Sequence, residues 1–390
     1  MVLDGGGDLA ASVPEVILIR FLIATLGVGD VNTGSDMSDQ TSTSAAYRIL
    51  DASANRGAEG LRTMEEFARF VLEDGLLTAE AKAIRHELRL ALESVSAELR
   101  LAARAVTSDC GTRLVAQDEM QRADMMAVVA SAAARTQQAL RCLEEYSKTI
   151  ASPFSSVAES LRYRTYTLSA TLMLMPQRRR RLADARLYLL IGANKDVDRF
   201  GETLDRMYQA GVDIIQLRDK SADDETLYRL SRRGAEVARQ NQKFFVVNDR
   251  ADIAVASGAQ GVHVGQEELP VEAVRRIVGP DVMIGVSTHS LAQVRAAVLD
   301  GADCIGCGPT FPSRTKSFGE FPGLDFLRQA SLETGLPAFA IGGIDETNLA
   351  AVMATGIHGV AVSGGILNAD QPFEMATLMR GVIRAVATSR

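Results

Sequence analysis

The sequence predicts an α/β protein in two parts, an all-α helical bundle followed by a (β/α)8 barrel. Three observations predict it. The chain has 390 residues, more than one domain usually holds. From residue 45 to 175 glycines are few and the apolar spacing is helical. From Arg186 onward, strand-like and helix-like words alternate with regularity.

Residues 1–44 are expected to be a disordered leader. Their apolar stretch, Val16 to Val28, carries Arg20 and has acidic flanks. A spanning helix needs about 20 apolar residues and a signal peptide needs a positive start, so neither fits. Met37 opens the run MSDQTSTSAAYRIL and is the expected true start.

In 45–175, Leu61, Met64, Ala68 and Val71 make one apolar stripe, with Glu59, Arg62, Glu66 and Arg69 opposite. The design recurs 79 residues later. Arg56, Leu61, Arg62, Glu65, Glu66 and Phe67 align with Arg135, Leu140, Arg141, Glu144, Glu145 and Tyr146. Such a repeat suggests two equivalent helices packed pseudo-symmetrically. Arg56, Arg62, Glu66, Arg135, Arg141 and Glu145 are either solvated helix faces or a paired network that binds an anion. Residues 176–185, within MPQRRRRLADAR, read as an exposed Arg-rich linker.

In 186–390 the strand words are Leu187–Ile191, Asp213–Arg218, Phe244–Asn248, Gly261–Val264, Met283–Ser287, Cys304–Gly308, Ala338–Ile341 and Gly359–Val362. Helical patterns at Arg199–Ala210, Asp224–Gln240, Leu291–Leu299, Leu324–Thr334, Asn348–Thr355 and Pro372–Val386 separate them. Eight such units make a TIM barrel; a doubly wound sheet is the runner-up, but no GxGxxG follows the first strand.

Apolar residues make up 47%, charged residues 23%, and the net charge is −7, so neither a disordered chain nor a basic nucleic-acid binder is expected. Four cysteines make no disulfide framework, and a reducing cytoplasm is the expected location. Cys304 and Cys307 point to opposite faces of one strand and read as buried small residues, not a zinc site. His263 and His289 read as structural.

Barrels place their chemistry at the C-terminal ends of strands. Two of the chain's six lysines, Lys220 and Lys316, fall there, and with Arg218 they offer cations for phosphate oxygens. Asp249 and Glu268 suit Mg2+ held by carboxylates and substrate phosphates. Gly342-Gly343 and Ser363-Gly364 offer bare backbone amides after strands seven and eight. The residues thus point to a diphosphate with metal near strands two to four and a monophosphate near strands seven and eight.

Two resemblances sharpen this. The words YRILDASANRGAEGLRTMEEFARFVLEDG, RADMMAVVASAAARTQQALRCLEEYSK and LRYRTYTL resemble the helical domain that some bacteria fuse to thiamine phosphate synthase, a domain proposed to act as an alternative hydroxymethylpyrimidine phosphate kinase. No GxxxxGK[ST] loop accompanies them. The words QLRDK, NDR, GVHVGQEELP, GVSTHS, GPTFPSRTK, AIGGI and GVAVSGGI resemble thiamine phosphate synthase itself, over Arg186 to about Val386.

The second resemblance implies a cytoplasmic transferase that joins hydroxymethylpyrimidine diphosphate to thiazole phosphate, releasing diphosphate. It implies that Gln216, Leu217, Arg218, Asp219, Lys220, Asn248, Ser287 and Lys316 bind the pyrimidine diphosphate, with Arg218, Lys220, Ser287 and Lys316 catalytic. Asp249 and Glu268 would bind Mg2+, while Ser313, Arg314, Thr315, Gly343, Ser363 and Gly364 would hold the thiazole phosphate. Glu268 stands where that family usually has Asp, and Ser313 where it has Thr; altered metal preference or rate is expected, not loss. The competing reading is a thiazole tautomerase-like barrel, with the helical half a non-catalytic interaction module. Partners are the small phosphorylated substrates, with no nucleic acid and no membrane; homo-oligomerisation stays open.

Overall fold

The computed structural model describes residues 37–104, 121–150, 153–193, 196–312 and 321–388. The apolar stretch at Val16–Val28 lies outside them. Ser44–Arg390 form one compact unit.

The first long helix, α1, spans Met37–Phe70. It therefore starts seven residues before the leader's expected end. Helices α2 (Gly75–Ala91), α3 (Ala97–Ala102), α4 (Met125–Ser147) and α5 (Phe154–Arg181) complete the bundle. Side-chain caps start three of them: Asp74 accepts from the Leu77 amide at 3.0 Å, Ser96 Oγ from the Leu99 amide at 3.3 Å, and Asp124 from the Ala127 amide at 2.7 Å. Leu61, Met64 and Ala68 are fully buried as their spacing predicts. Val71 is 42% exposed, because α1 ends one residue before it.

The repeat is a true pseudo-dyad. A Cβ on Gly60 would lie 2.1 Å from Thr136 Oγ1, and one on Gly57 would lie 3.7 Å from Ala139 Cβ. Residues 57 and 60 map onto 136 and 139 under the 79-residue shift, so each contact is the other's mate. Helices α1 and α4 can cross this closely only because small residues meet there. The same symmetry governs charge. Glu65 is buried and receives Arg85 of α2 at 2.9 Å; Glu144 is buried and receives Arg162 of α5 at 2.9 Å.

Parallel strands β1 (Leu187–Ile191), β2 (Ile214–Leu217), β3 (Phe244–Asn248), β4 (Gly261–Val264), β5 (Met283–Thr288), β6 (Cys304–Cys307), β7 (Ala338–Ile341) and β8 (Gly359–Val362) close into a barrel in sequence order. Helices α6 (Val197–Gln209), α7 (Asp224–Gln240), α8 (Ala251–Ser257), α9 (Val271–Val278), α10 (Leu291–Asp300), α11 (Gly323–Glu333), α12 (Leu349–Ala354), α13 (Gly364–Leu367) and α14 (Pro372–Thr388) follow the strands. Tyr188, Ile214, Val246, Met283, Cys304, Phe339 and Ala361 fill the lower interior as a separate apolar cluster. One pleat further along, the inward positions turn polar: Gln216, Asn248, His263 and Ser287. Cys304 joins this inner cluster and Cys307 the outer core, as their spacing predicts.

The arginine run is not an exposed linker. Helix α5 continues through Pro176 to Arg181, and its last turn spreads over the ends where strands begin. Arg178, 9% exposed, pairs at 3.4 Å with Asp303, which precedes β6 and also takes Arg275 at 2.6 Å. Arg179 reaches Asp74 at 2.9 Å, and the same carboxylate accepts from Thr334 Oγ1 at 2.8 Å and the Gly335 amide at 3.0 Å, ahead of β7. Carboxylates distant in sequence turn a solvated-looking run into a buried joint.

Candidate active site

The site is assembled at the ends of β2 to β5. Gln216, 2% exposed, donates through Nε2 to the Tyr188 hydroxyl at 2.8 Å. That bond orients the carboxamide, leaving its oxygen free to accept. Across the floor His263 Nε2 lies 3.0 Å from Ser287 Oγ. Burial, then the nearby Arg218 charge, pushes the imidazole down to about 4, so the ring is neutral at pH 7. His263 Nδ1 is buried and unpartnered among the described residues. Its ring occupies space that glycines vacate: a Cβ on Gly285 would lie 2.4 Å from Nδ1, and one on Gly306 would lie 3.5 Å from Cε1. Gln266 Nε2 donates to the Ser287 carbonyl at 2.6 Å and ties the loop after β4 to this end of β5.

Beside this floor stands the charged rim. Asp249 holds φ at +62°, a left-handed conformation that Asp tolerates better than most side chains and that clusters at functional sites. Burial, then the neighbouring Glu268 carboxylate, raises Asp249 above the ordinary carboxylate range, while Lys220, Asn248 and Arg218 oppose the rise. Lys220 Nζ lies 3.9 Å from Glu268. Two carboxylates repelling each other among cations suit a hard divalent ion whose remaining ligands are phosphate oxygens and water. Among the described residues no group of three or more His, Cys, Asp or Glu could hold a metal ion.

Two members of the Gln216–Lys220 segment serve it differently. Leu217 is 1% exposed and packs in the outer core, so only its backbone faces the site. Asp219 accepts from the Ser221 amide and hydroxyl, the Ala222 amide and the Ala193 amide, which locks the β2 loop to the end of β1.

The opposite rim is bare backbone. Gly342 and Gly343 hold φ at +101° and +62°, and a Cβ on Gly343 would lie 2.6 Å from the Pro312 carbonyl oxygen. Asn348 Nδ2 fixes the Gly343 carbonyl at 2.9 Å. Ser363 precedes α13, whose first amides have no partner within the helix. Ser313, Arg314, Thr315 and Lys316 lie outside the described residues.

In the helical half, the candidates Arg56 and Arg135 are exposed and belong to no pair among the described residues. Arg62 pairs with exposed Glu66 at 2.9 Å, and Arg141 with Glu145 at 2.9 Å. The buried members of the network are their neighbours, Glu65 and Glu144. Sequence reasoning missed Tyr188 and took His263 as purely structural. The available signal was inward parity: His263 shares its face of the barrel with Asn248 and Ser287, and glycines oppose it on the next two strands.

Among the described residues no helix is long and apolar enough to cross a membrane. The family model for thiamine monophosphate synthase matches residues 187–366, and that for the ThiD2 family matches 48–171. A thiamine-phosphate synthase from Rhodopirellula baltica is 49% identical, over 87% of this chain and 93% of its own. One from Thermosynechococcus vestitus is 39% identical, over 83% and 91%. The solved thiamine phosphate pyrophosphorylase from Pyrococcus furiosus covers 52% of this chain and 96% of its own, with TM-score 0.47 and 30% identity. The similarity to curated relatives thus runs through both halves, and the chain belongs to the thiamine-phosphate synthase family, whose members are transferases.

Proposed function

We propose that the barrel joins hydroxymethylpyrimidine diphosphate to thiazole phosphate, forming thiamine monophosphate and diphosphate, in the cytoplasm and with Mg2+. One observation carries this reading: Arg218, Lys220, Asp249 and Glu268 gather beside a neutral hydrogen-bonding floor of Gln216, Asn248 and Ser287. Asp249 and Glu268 would hold the ion, which supplies charge neutralisation for the departing diphosphate. Arg218 and Lys220, with Lys316, share that task.

The Gln216 oxygen suits the exocyclic amine of an aminopyrimidine, whose lone pair supports positive charge on the ring's methylene carbon. The carbon–oxygen bond breaks, diphosphate leaves with the electron pair, and the thiazole nitrogen forms the new carbon–nitrogen bond. The backbone amides at Gly343 and Ser363-Gly364, with Ser313, Arg314 and Thr315, would seat the thiazole phosphate. No nucleophilic side chain is needed, since holding two partners in line supplies much of the acceleration. A tautomerase-like reading leaves Arg218, Lys220 and Asp249 without work.

Mixing the two phosphorylated substrates with Mg2+ is expected to yield thiamine phosphate, with none formed in excess EDTA; EDTA-resistant turnover would refute the metal's part. Gly285→Ala tests the floor. Its methyl group must displace the His263 ring, and through it Ser287, so kcat per folded molecule is expected to fall about 10- to 100-fold, with about 1–3 kcal/mol of stability lost to overpacking. Unchanged kinetics would show that His263 does not position Ser287. For the helical half, similarity to the ThiD2 family supports phosphorylation of the pyrimidine monophosphate to the diphosphate that the barrel consumes.

A further inference from the structure

Between α1 and α2 runs a groove of about 650 Å³, lined by Asn55, Ala58, Lys82, Arg85, His86 and Arg89 among others, with no carboxylate among the described residues that line it. The four basic residues recur at i, i+3, i+4 and i+7 of α2, so they share one helix face at spacings where like charges destabilise each other. Arg85 is engaged by buried Glu65 and Arg89 by exposed Glu93. Lys82 and His86 have no partner among the described residues, and both are exposed.

The pseudo-dyad supplies an internal control. Buried positions Leu77, Ala81, Ile84 and Leu88 of α2 correspond to Phe154, Ala158, Leu161 and Thr165 of α5, and Arg85 corresponds to Arg162. The fold retains in both halves an arginine on a buried glutamate. At the rim the halves diverge: Lys82, His86 and Arg89 stand where α5 has Glu159, Tyr163 and Tyr166. Packing of a helix in this position thus does not require a basic rim.

We propose that the α1–α2 groove binds a phosphate-bearing small molecule, with Lys82, His86 and Arg89 contacting the phosphate and the alanine-lined floor receiving a small flat ring. The identity of the ring rests on the pyrimidine phosphorylation reading above; the phosphate contact does not. Arg85, held by Glu65, borders the site while keeping α2 on α1.

The chain has four histidines, so imidazole NMR of the full-length protein resolves the site, with His86→Asn assigning its signal. Titration with inorganic phosphate, then with hydroxymethylpyrimidine monophosphate, is expected to shift the His86 signal saturably. Lys82→Gln combined with Arg89→Gln is expected to weaken that binding about tenfold or more, and Glu159→Gln, on the equivalent rim, to leave it unchanged. Absence of a saturable shift up to roughly 10 mM ligand, or binding indifferent to the double substitution, overturns the site. Incubation with ATP and the pyrimidine monophosphate separates the two readings. No diphosphate formed alongside an intact His86 response removes the phosphorylation reading and upholds the groove.

Discussion

Asp249→Asn is expected to give a folded protein whose synthase turnover has fallen about 100- to 1,000-fold. Asn accepts the left-handed φ of +62° nearly as well as Asp, so the β3 loop keeps its course. What disappears is the charge. Burial and Glu268 raise this carboxyl above its ordinary range, so the native state binds its proton more tightly than the unfolded chain does. Stability therefore declines as pH rises from the ordinary carboxylate range through the raised value, and Asn removes that decline. Steady-state kinetics and a pH series of melts check both halves: activity lost, neutral-pH stability held or slightly gained. Elevated Mg2+ should not restore the rate, because a neutral amide replaces the anionic ligand. Turnover within threefold of the parent would remove Asp249 from the metal's coordination.

Asp74→Ala is expected to produce the largest loss of stability, about 3–5 kcal/mol. Its carboxylate is fully buried, caps α2, and takes Arg179, Thr334 and Gly335 at once. Alanine leaves a half-buried guanidinium without its anion, the Thr334 hydroxyl and Gly335 amide without their acceptor, and a helix without its cap. Urea unfolding followed by far-UV circular dichroism should show the shift. Per folded molecule the synthase activity should persist, because these contacts lie at the ends of the strands opposite the site. Asp74→Asn, which keeps one acceptor oxygen, should cost less. A midpoint unmoved by Asp74→Ala would deny the joint its strength.

Much of this architecture is readable from residue patterns, for physical reasons. Parallel barrel strands are covered on both sides, so they appear as short apolar runs between turn residues, and five of the eight match their expected ends. The Arg178–Arg181 turn read as solvated because Asp74 and Asp303 are over a hundred residues away in sequence. Within the repeat, adjacent acids at 65–66 and 144–145 left unclear which faces inward; packing against α2 and α5 decides for Glu65 and Glu144. The charged rim was legible as residue types at strand ends. Of the floor, Gln216, Asn248 and Ser287 were named through the resemblance, whereas the place of His263 beside Ser287 was not legible, because its ring is seated by glycines on two other strands.

The joint between the halves also has a consequence for traffic. Helix α5 grips the chain ahead of β6 and β7, whereas the synthase pocket opens where β2 to β5 finish. Strands of four to six residues, at about 3.3 Å each, put the height of the barrel between the two ends. If the bundle phosphorylates the pyrimidine as proposed, the joint itself provides no passage from it to those strand ends, and the diphosphate is expected to exchange with bulk water. Unlabelled diphosphate added outside should then dilute an isotopic label from the monophosphate in full, and what fusion would secure is equal numbers of the two halves instead of a private passage between them.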